Sequence, residues 1–236
     1  MKSFDRYNRK LNIVILGKTE YKEALDLQER IFELRQQGKI SDTLLLLEHP
    51  SVITLGKRGV YSNIIVPKEE LAEKGISIYE VSRGGDVTYH GPGQIVGYPI
   101  VNLKEMNKGV KDFVWGVEEV FIQLLKNEFK ITACRDTEKY TGVWVDNEKI
   151  TAIGIAVKHW ITMHGFAFNV NTELEYFRLI NPCGITDRGV TSLEKLLGRP
   201  QDLNNLIEMV LTYFCGIFRL QPEIVEKKAL LESLEG

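Results

Sequence analysis

Few residues in this chain have chemistry to offer. Cys183 sits in "LINPCGITDRG", between Pro182 and Gly184. A loop thiol is a nucleophile wherever its thiolate is favoured, although free cysteines are mostly buried as small hydrophobes. Cys134 in "ITACRD" and Cys215 in "TYFCGIF" lie within apolar elements and read as core. Lys149 follows the turn "VDNE" and opens the apolar run "ITAIGIAV". A lysine there is ordinarily a solvated strand end. His90 ends the run "DVTYH" and begins a Gly-Pro turn, where histidine commonly serves backbone hydrogen bonds. Arg83 opens "RGGDVTYHGPGQIVGYPI" and reads equally well as a surface ion pair. The glycines of that stretch interrupt strand-like sequence, which implies that something approaches the backbone closely.

Other chemistries are refused. "LGKRG" has the Gly-Lys pair of a phosphate loop, but Ser51 stands where the first glycine belongs and Arg58 follows the lysine. Gly91 and Gly93 begin a dinucleotide fingerprint, but Val96 holds its third position and no helix follows. The four histidines include no HExxH, so no metal site is expected. There is no G-x-S-x-G elbow. Three widely spaced cysteines without CxxC suggest neither a disulfide framework nor a zinc knuckle. The net charge of -2 and pI near 6.2 give no reason to expect nucleic acid or an anionic membrane as partner. No signal peptide or 18-residue apolar run is present, so a reduced, cytoplasmic protein is expected.

The elements that must position these groups follow from periodicity. Strands are expected at 12–16, in "TLLLLEH", in "SVITLG", and in three runs around the glycines, "ISIYEVS", "DVTYH" and "QIVGYPIVNL". Helices are expected from Tyr21 to about Gln37, over "PKEELAEKG", and over 110–129. "GVWVDNEKITAIGIAV" reads as a hairpin turning at Asp146 and Asn147, followed by the strand "ITMHGFAFNVN". "TSLE" at 191–194 reads as a capping box, Pro200 as the start of another helix, and "EIVEKKALLESLEG" as a charged final helix. Strands cluster instead of alternating with helices. That predicts α+β, or mixed α/β with an antiparallel-rich sheet. One catalytic domain over 1–236 is expected, helical from about 191.

Four motifs in order, "RGGDVTYHGPGQIVGYP", "GVWVDNEKITAIGI", "HGFAFNVN" and "INPCG", resemble the lipoyl(octanoyl) transferases. The resemblance runs over roughly residues 12 to 200. It implies the α/β fold of biotin and lipoate protein ligases as a single domain. It implies transfer of an octanoyl group from octanoyl-acyl carrier protein to a lysine of a lipoyl domain or of glycine-cleavage H protein, without a cofactor. Cys183 then matches the acyl-accepting cysteine and Lys149 the lysine that activates it. Arg83, Gly84, Gly85 and Asp86, with Val87, Thr88, Tyr89 and His90, match the substrate-binding loop. Ala152, Ile153 and Gly154, and Gly165, Phe166 and Ala167, match two further substrate-contacting pieces. The segment "ITDRGVTSL" departs from many relatives, which affects accessory contacts.

On that basis His90 or backbone N–H groups are candidates to stabilise a tetrahedral oxyanion. An acidic carrier protein implies a basic rim, for which Lys57, Arg58, Arg135, Lys139 and Lys158 are candidates. No symmetric coiled coil or spare apolar helix face is evident, which makes a monomer the default.

Overall fold

A computed structural model describes residues 9–136, 140–181 and 188–235. The chain opens with strand β1 (Arg9–Lys18), helix α1 (Tyr21–Gln36) and strand β2 (Thr43–Glu48). β1 and β2 pair in parallel, so α1 is the crossover such a pair requires. Strands β3 (Val52–Leu55), β4 (Ser77–Glu80) and β5 (Val87–His90) then form a small separate sheet in the order β4-β3-β5. Helix α2 (Lys68–Glu73) lies between β3 and β4.

The chain re-enters the main sheet with β6 (Gln94–Ile100), antiparallel to β2. Helix α3 (Val110–Phe129) leads to the short β7 (Cys134–Arg135). The hairpin β8 (Gly142–Val145) and β9 (Glu148–Lys158) is followed by β10 (Ile161–Asn169). The short β11 (Gly189–Val190) pairs with the start of β9. Helices α4 (Leu193–Leu197) and α5 (Leu203–Phe218), strand β12 (Leu220–Ile224) and helix α6 (Lys227–Glu235) complete the chain. Among the described residues the main sheet runs β12-β1-β2-β6-β10-β9-β8-β7, with β11 beside β9.

The run "TLLLL" explains the layering. Leu44 and Leu46 belong to the core under α3 and α5, while Leu45 and Leu47 pack on the other face with Leu27 and Ile31 of α1. A strand buried on both faces has no polar side to show, so its alternation disappears. Burying each such leucine is worth roughly 1.5–3 kcal/mol. The small sheet has its own core of Ile53, Leu55, Val87 and Tyr89, closed by Ile180.

Three of the expected elements near the C-terminus are placed differently in the structure. Ser192, not Thr191, caps α4, its Oγ accepting from Lys195 N. The Thr191 N–H donates to the Lys149 carbonyl and so is not offered to the Glu194 carboxylate as a capping box would need. Helix α5 starts at Leu203 and not at Pro200, because the Asp202 carboxylate accepts from the N–H of Asn204. The tail is not helical throughout: β12 pairs in parallel with β1 at the sheet edge, with Pro222 opposite Leu11. An edge strand tolerates a proline, which lacks the N–H that a central strand would need.

Candidate active site

A cavity of about 950 Å³ opens between β9 and β10 of the main sheet, β5 of the small sheet and the loop before β5. The short 3-10 helix Leu174–Leu179 closes another side. Of the loop residues singled out in the sequence, Arg83, Gly84, Gly85, Asp86, Val87, Thr88 and His90 line the cavity. Tyr89 does not. It points into the small-sheet core, stacked on Tyr176 at 5.2 Å, with its hydroxyl 2.9 Å from Ser51 Oγ. Ala152, Ile153 and Gly154 of β9 and Gly165, Phe166 and Ala167 of β10 all lie on the wall. Lys149 lies there too, while Cys183 and Lys139 fall outside the described residues.

What the glycine stretch approaches is strand β9. Gly84 N–H donates to the Ile155 carbonyl at 3.2 Å. A Cβ on Gly154 would stand 2.9 Å from the Gly84 oxygen and 3.1 Å from Arg83 Cδ. The two backbones therefore meet only because neither position carries a side chain. Arg83 is not at the surface. Its guanidinium is buried and donates to the Thr54 carbonyl (2.7 Å) and hydroxyl (2.9 Å). Asp86 holds the loop, accepting from Val87 N at 2.7 Å and from Asn63 Nδ2 at 2.6 Å.

Lys149 is aimed by a bulge. Val143 pairs with Thr151 but Trp144 pairs with Lys149, so Ile150 is the extra residue on β9. The Lys149 ammonium lies over the Trp144 indole, and Arg188 packs 5.0 Å from the same ring while pairing with Asp136 at 2.6 Å. Glu118 of α3 backs this corner, accepting from Gly142 N at 3.0 Å. Burial pushes its carboxyl up, opposed by the Gly142 N–H and by the charges of Arg135 and Lys149. Sequence reading passed over Trp144, Glu118 and Arg188, since each looks like an ordinary core or surface residue.

The far wall is polar, and its side chains are buried. Tyr21, Tyr98, His90 and His164 line it, with His49 behind. Burial pushes His49 down to about 4 and His164 to about 4. His90 is pushed to about 3 by burial and then by His49. Burial raises the Tyr21 hydroxyl to about 12. These groups are therefore neutral across the physiological range. His164 has φ +57 inside a strand, a conformation rare for a residue with a side chain. Its N–H turns to Gln28 Oε1 of α1, and β10 pairs with β6 only from Phe166 onward. Nothing in "TMHGF" announces that bend.

Of the cations considered for a basic rim, Lys57 and Arg58 line the cavity. Arg135 does not serve it, because Glu118 at 3.3 Å and Glu119 at 2.5 Å engage its guanidinium. Lys158 is exposed at the end of β9, away from the cavity wall. Burial raises the Cys215 thiol to about 12, which makes it unreactive, whereas Cys134 is exposed on the short strand β7 and is not the core residue that "ITACRD" suggested.

Residues 20–215 match the lipoyl protein ligase A/B catalytic domain. The chain belongs to that family. An octanoyltransferase of Desulforamulus reducens is 57% identical over 223 residues, covering 94% of this chain and 97% of the relative. At that identity the chain is an acyltransferase of the octanoyltransferase group within the family. Among solved structures, a bipartite lipoate protein ligase of Thermoplasma acidophilum superposes with a TM-score of 0.78 at 15% identity, covering 96% of this chain and 91% of that one. The biotin protein ligase of Aquifex aeolicus gives 0.51 at 15% identity, covering 96% and 73%. These two likenesses concern the fold: the mixed sheet is that of the biotin and lipoate ligases, as the family resemblance implied.

Proposed function

We propose that this chain moves an octanoyl group from octanoyl-acyl carrier protein to the acceptor lysine of a lipoyl domain or of glycine-cleavage H protein, through a thioester on Cys183. One observation carries this reading. Lys149 lines the cavity, and so do Asn181 and Arg188, the described residues on either side of the segment that holds Cys183. The relatives at 57% identity are octanoyltransferases, and the Thermoplasma structure pairs a ligase with an E2 lipoyl domain.

The steps balance without ATP. The Cys183 thiolate attacks the thioester carbonyl, and the carrier thiol leaves with a proton. The acceptor amine then attacks the new thioester, and Cys183 leaves as thiolate while an amide forms. Lys149 serves as the proton relay in both steps, and an ammonium beside a thiol favours the thiolate. The chain's apolar wall of Ala152, Ile153 and Phe166 receives the acyl group. Six methylenes buried there contribute about 5 kcal/mol. The enzyme works as a monomeric single domain in a reducing cytoplasm, where the thiol stays free.

Intact-mass spectrometry after mixing with octanoyl-acyl carrier protein, without ATP, tests the proposal. The expected result is one octanoyl adduct, mapped to Cys183 and lost in Cys183→Ala. Product formed from free octanoate and ATP, with no adduct, would instead indicate a ligase.

A further inference from the structure

His90 Nδ1 lies 2.7 Å from Gln94 Oε1. Taken alone this contact has two readings, because a side-chain amide can be turned end for end. The groups behind it remove one. Gln94 Nε2 donates to Asn169 Oδ1 at 2.9 Å and lies 3.4 Å from the Tyr89 carbonyl. Asn169 Nδ2 donates to the Thr191 carbonyl at 3.0 Å. A main-chain carbonyl only accepts. Asn169 must therefore present its NH2 to Thr191 and its oxygen to Gln94. Gln94 must then present its NH2 to Asn169 and its oxygen to His90. The proton of the ring sits on Nδ1.

His90, Gln94, Asn169 and Thr191 are all buried, which strengthens each link and makes a broken one costly. The Thr191 carbonyl fixes the polarity of the string, and the N–H of the same residue separately donates to the Lys149 carbonyl at 3.0 Å, which holds this end of it beside strand β9.

We propose that Gln94 and Asn169 are positioning residues that hold His90 as its Nδ1–H tautomer, so that Nε2 turns a bare lone pair toward the substrate cavity. His90 lines that cavity. The ring is then a hydrogen-bond acceptor and not the oxyanion donor that sequence alone suggested, because an oxyanion needs an N–H that Nε2 lacks. Burial, with His49, Arg83 and His164 around the ring, keeps it neutral. The N–H that this acceptor takes is on the attacking amine of the acceptor lysine. That hydrogen bond aims the amine's own lone pair at the thioester carbonyl. This last assignment rests on the acyl-enzyme reading above; the tautomer does not.

Nitrogen-15 NMR of histidine-labelled enzyme, with His90 assigned by difference from His90→Gln, tests the tautomer. At neutral pH Nδ1 is expected protonated and Nε2 bare, and Gln94→Leu should give a mixture. A wild-type Nε2–H overturns the proposal, and this measurement needs no variant of the string to fold. Single-turnover transfer from preformed octanoyl-enzyme to a lipoyl domain tests the role. Gln94→Leu is expected to slow that step about tenfold, with enzyme acylation unchanged. An unchanged transfer step in Gln94→Leu, or a slowed acylation step, overturns the role. If wild type forms no acyl-enzyme, the Cys183 reading fails while the NMR result still decides the tautomer.

Discussion

The Lys149 ammonium lies 4.7 Å from the centre of the Trp144 indole, and the two residues are cross-strand partners in the β8–β9 hairpin. An indole face attracts a cation and limits where a long, flexible stem can wander. Trp144→Leu is expected to lower kcat by roughly threefold to thirtyfold, the range of such contacts from half-exposed to dry. Trp144→Phe should retain most of the rate. Steady-state kinetics with octanoyl-acyl carrier protein checks this, and a change confined to KM would count against it.

Gly142 gives the Lys149 stem its room. A Cβ there would stand 3.2 Å from Lys149 Cε and 2.6 Å from the Thr151 oxygen, and the residue has φ +136. Gly142→Ala is expected to disturb the hairpin opening and displace the amine. Activity should fall by at least tenfold, against a stability loss of about 1–3 kcal/mol. Chemical denaturation beside an activity assay separates the two effects. A variant with lower stability but full kcat would break the link between Gly142 and Lys149.

The buried histidines make the fold acid-sensitive. Folded values near 4 for His49 and His164, against 6.5 when exposed, mean that the unfolded chain binds more protons between those limits. Stability must therefore fall as pH drops from about 6.5 toward 4, by about 3 kcal/mol for each such histidine at the lower limit. Urea midpoints across that range check the slope. His164→Gln is expected to flatten it. An unchanged slope in that variant would show that His164 does not bear the cost.

Lys57 and Arg58 line the cavity and are exposed. If they meet an acidic carrier, Lys57→Glu with Arg58→Glu should raise KM for octanoyl-acyl carrier protein several-fold and leave kcat near wild type. The wild-type KM should rise with salt, and the double variant should lose that dependence. Stopped-flow or steady-state titration over ionic strength reads both. A salt-independent wild-type KM would remove the electrostatic rim.

Much of the architecture was legible in residue order. The helix at 110–129 carries a continuous apolar face and appears as Val110–Phe129. The hairpin turns at Asp146 and Asn147 as its turn residues require. The strand β12 was not legible, because "LQPEI" is only five residues long and has a proline at its centre. It is a strand only because β1 offers it an open edge. At the cavity, the motifs located Lys149 and both flanks of β9 and β10. They did not separate Tyr89 from its neighbours, since which side of β5 faces the cavity depends on where the small sheet docks.

By itself, the sequence determined the class of elements, the absence of phosphate-loop and zinc-ligand patterns, and the short list of reactive groups. Those are local properties, set by side-chain period, turn residues and residue type. Only the tertiary structure decided how the reactive groups behave. The Trp144 ring under Lys149, the left-handed turn at His164, and the buried string from His90 through Gln94 and Asn169 to Thr191 join residues far apart in the chain. Hydrogen-bond polarity and dielectric burial exist only once those distant segments have met.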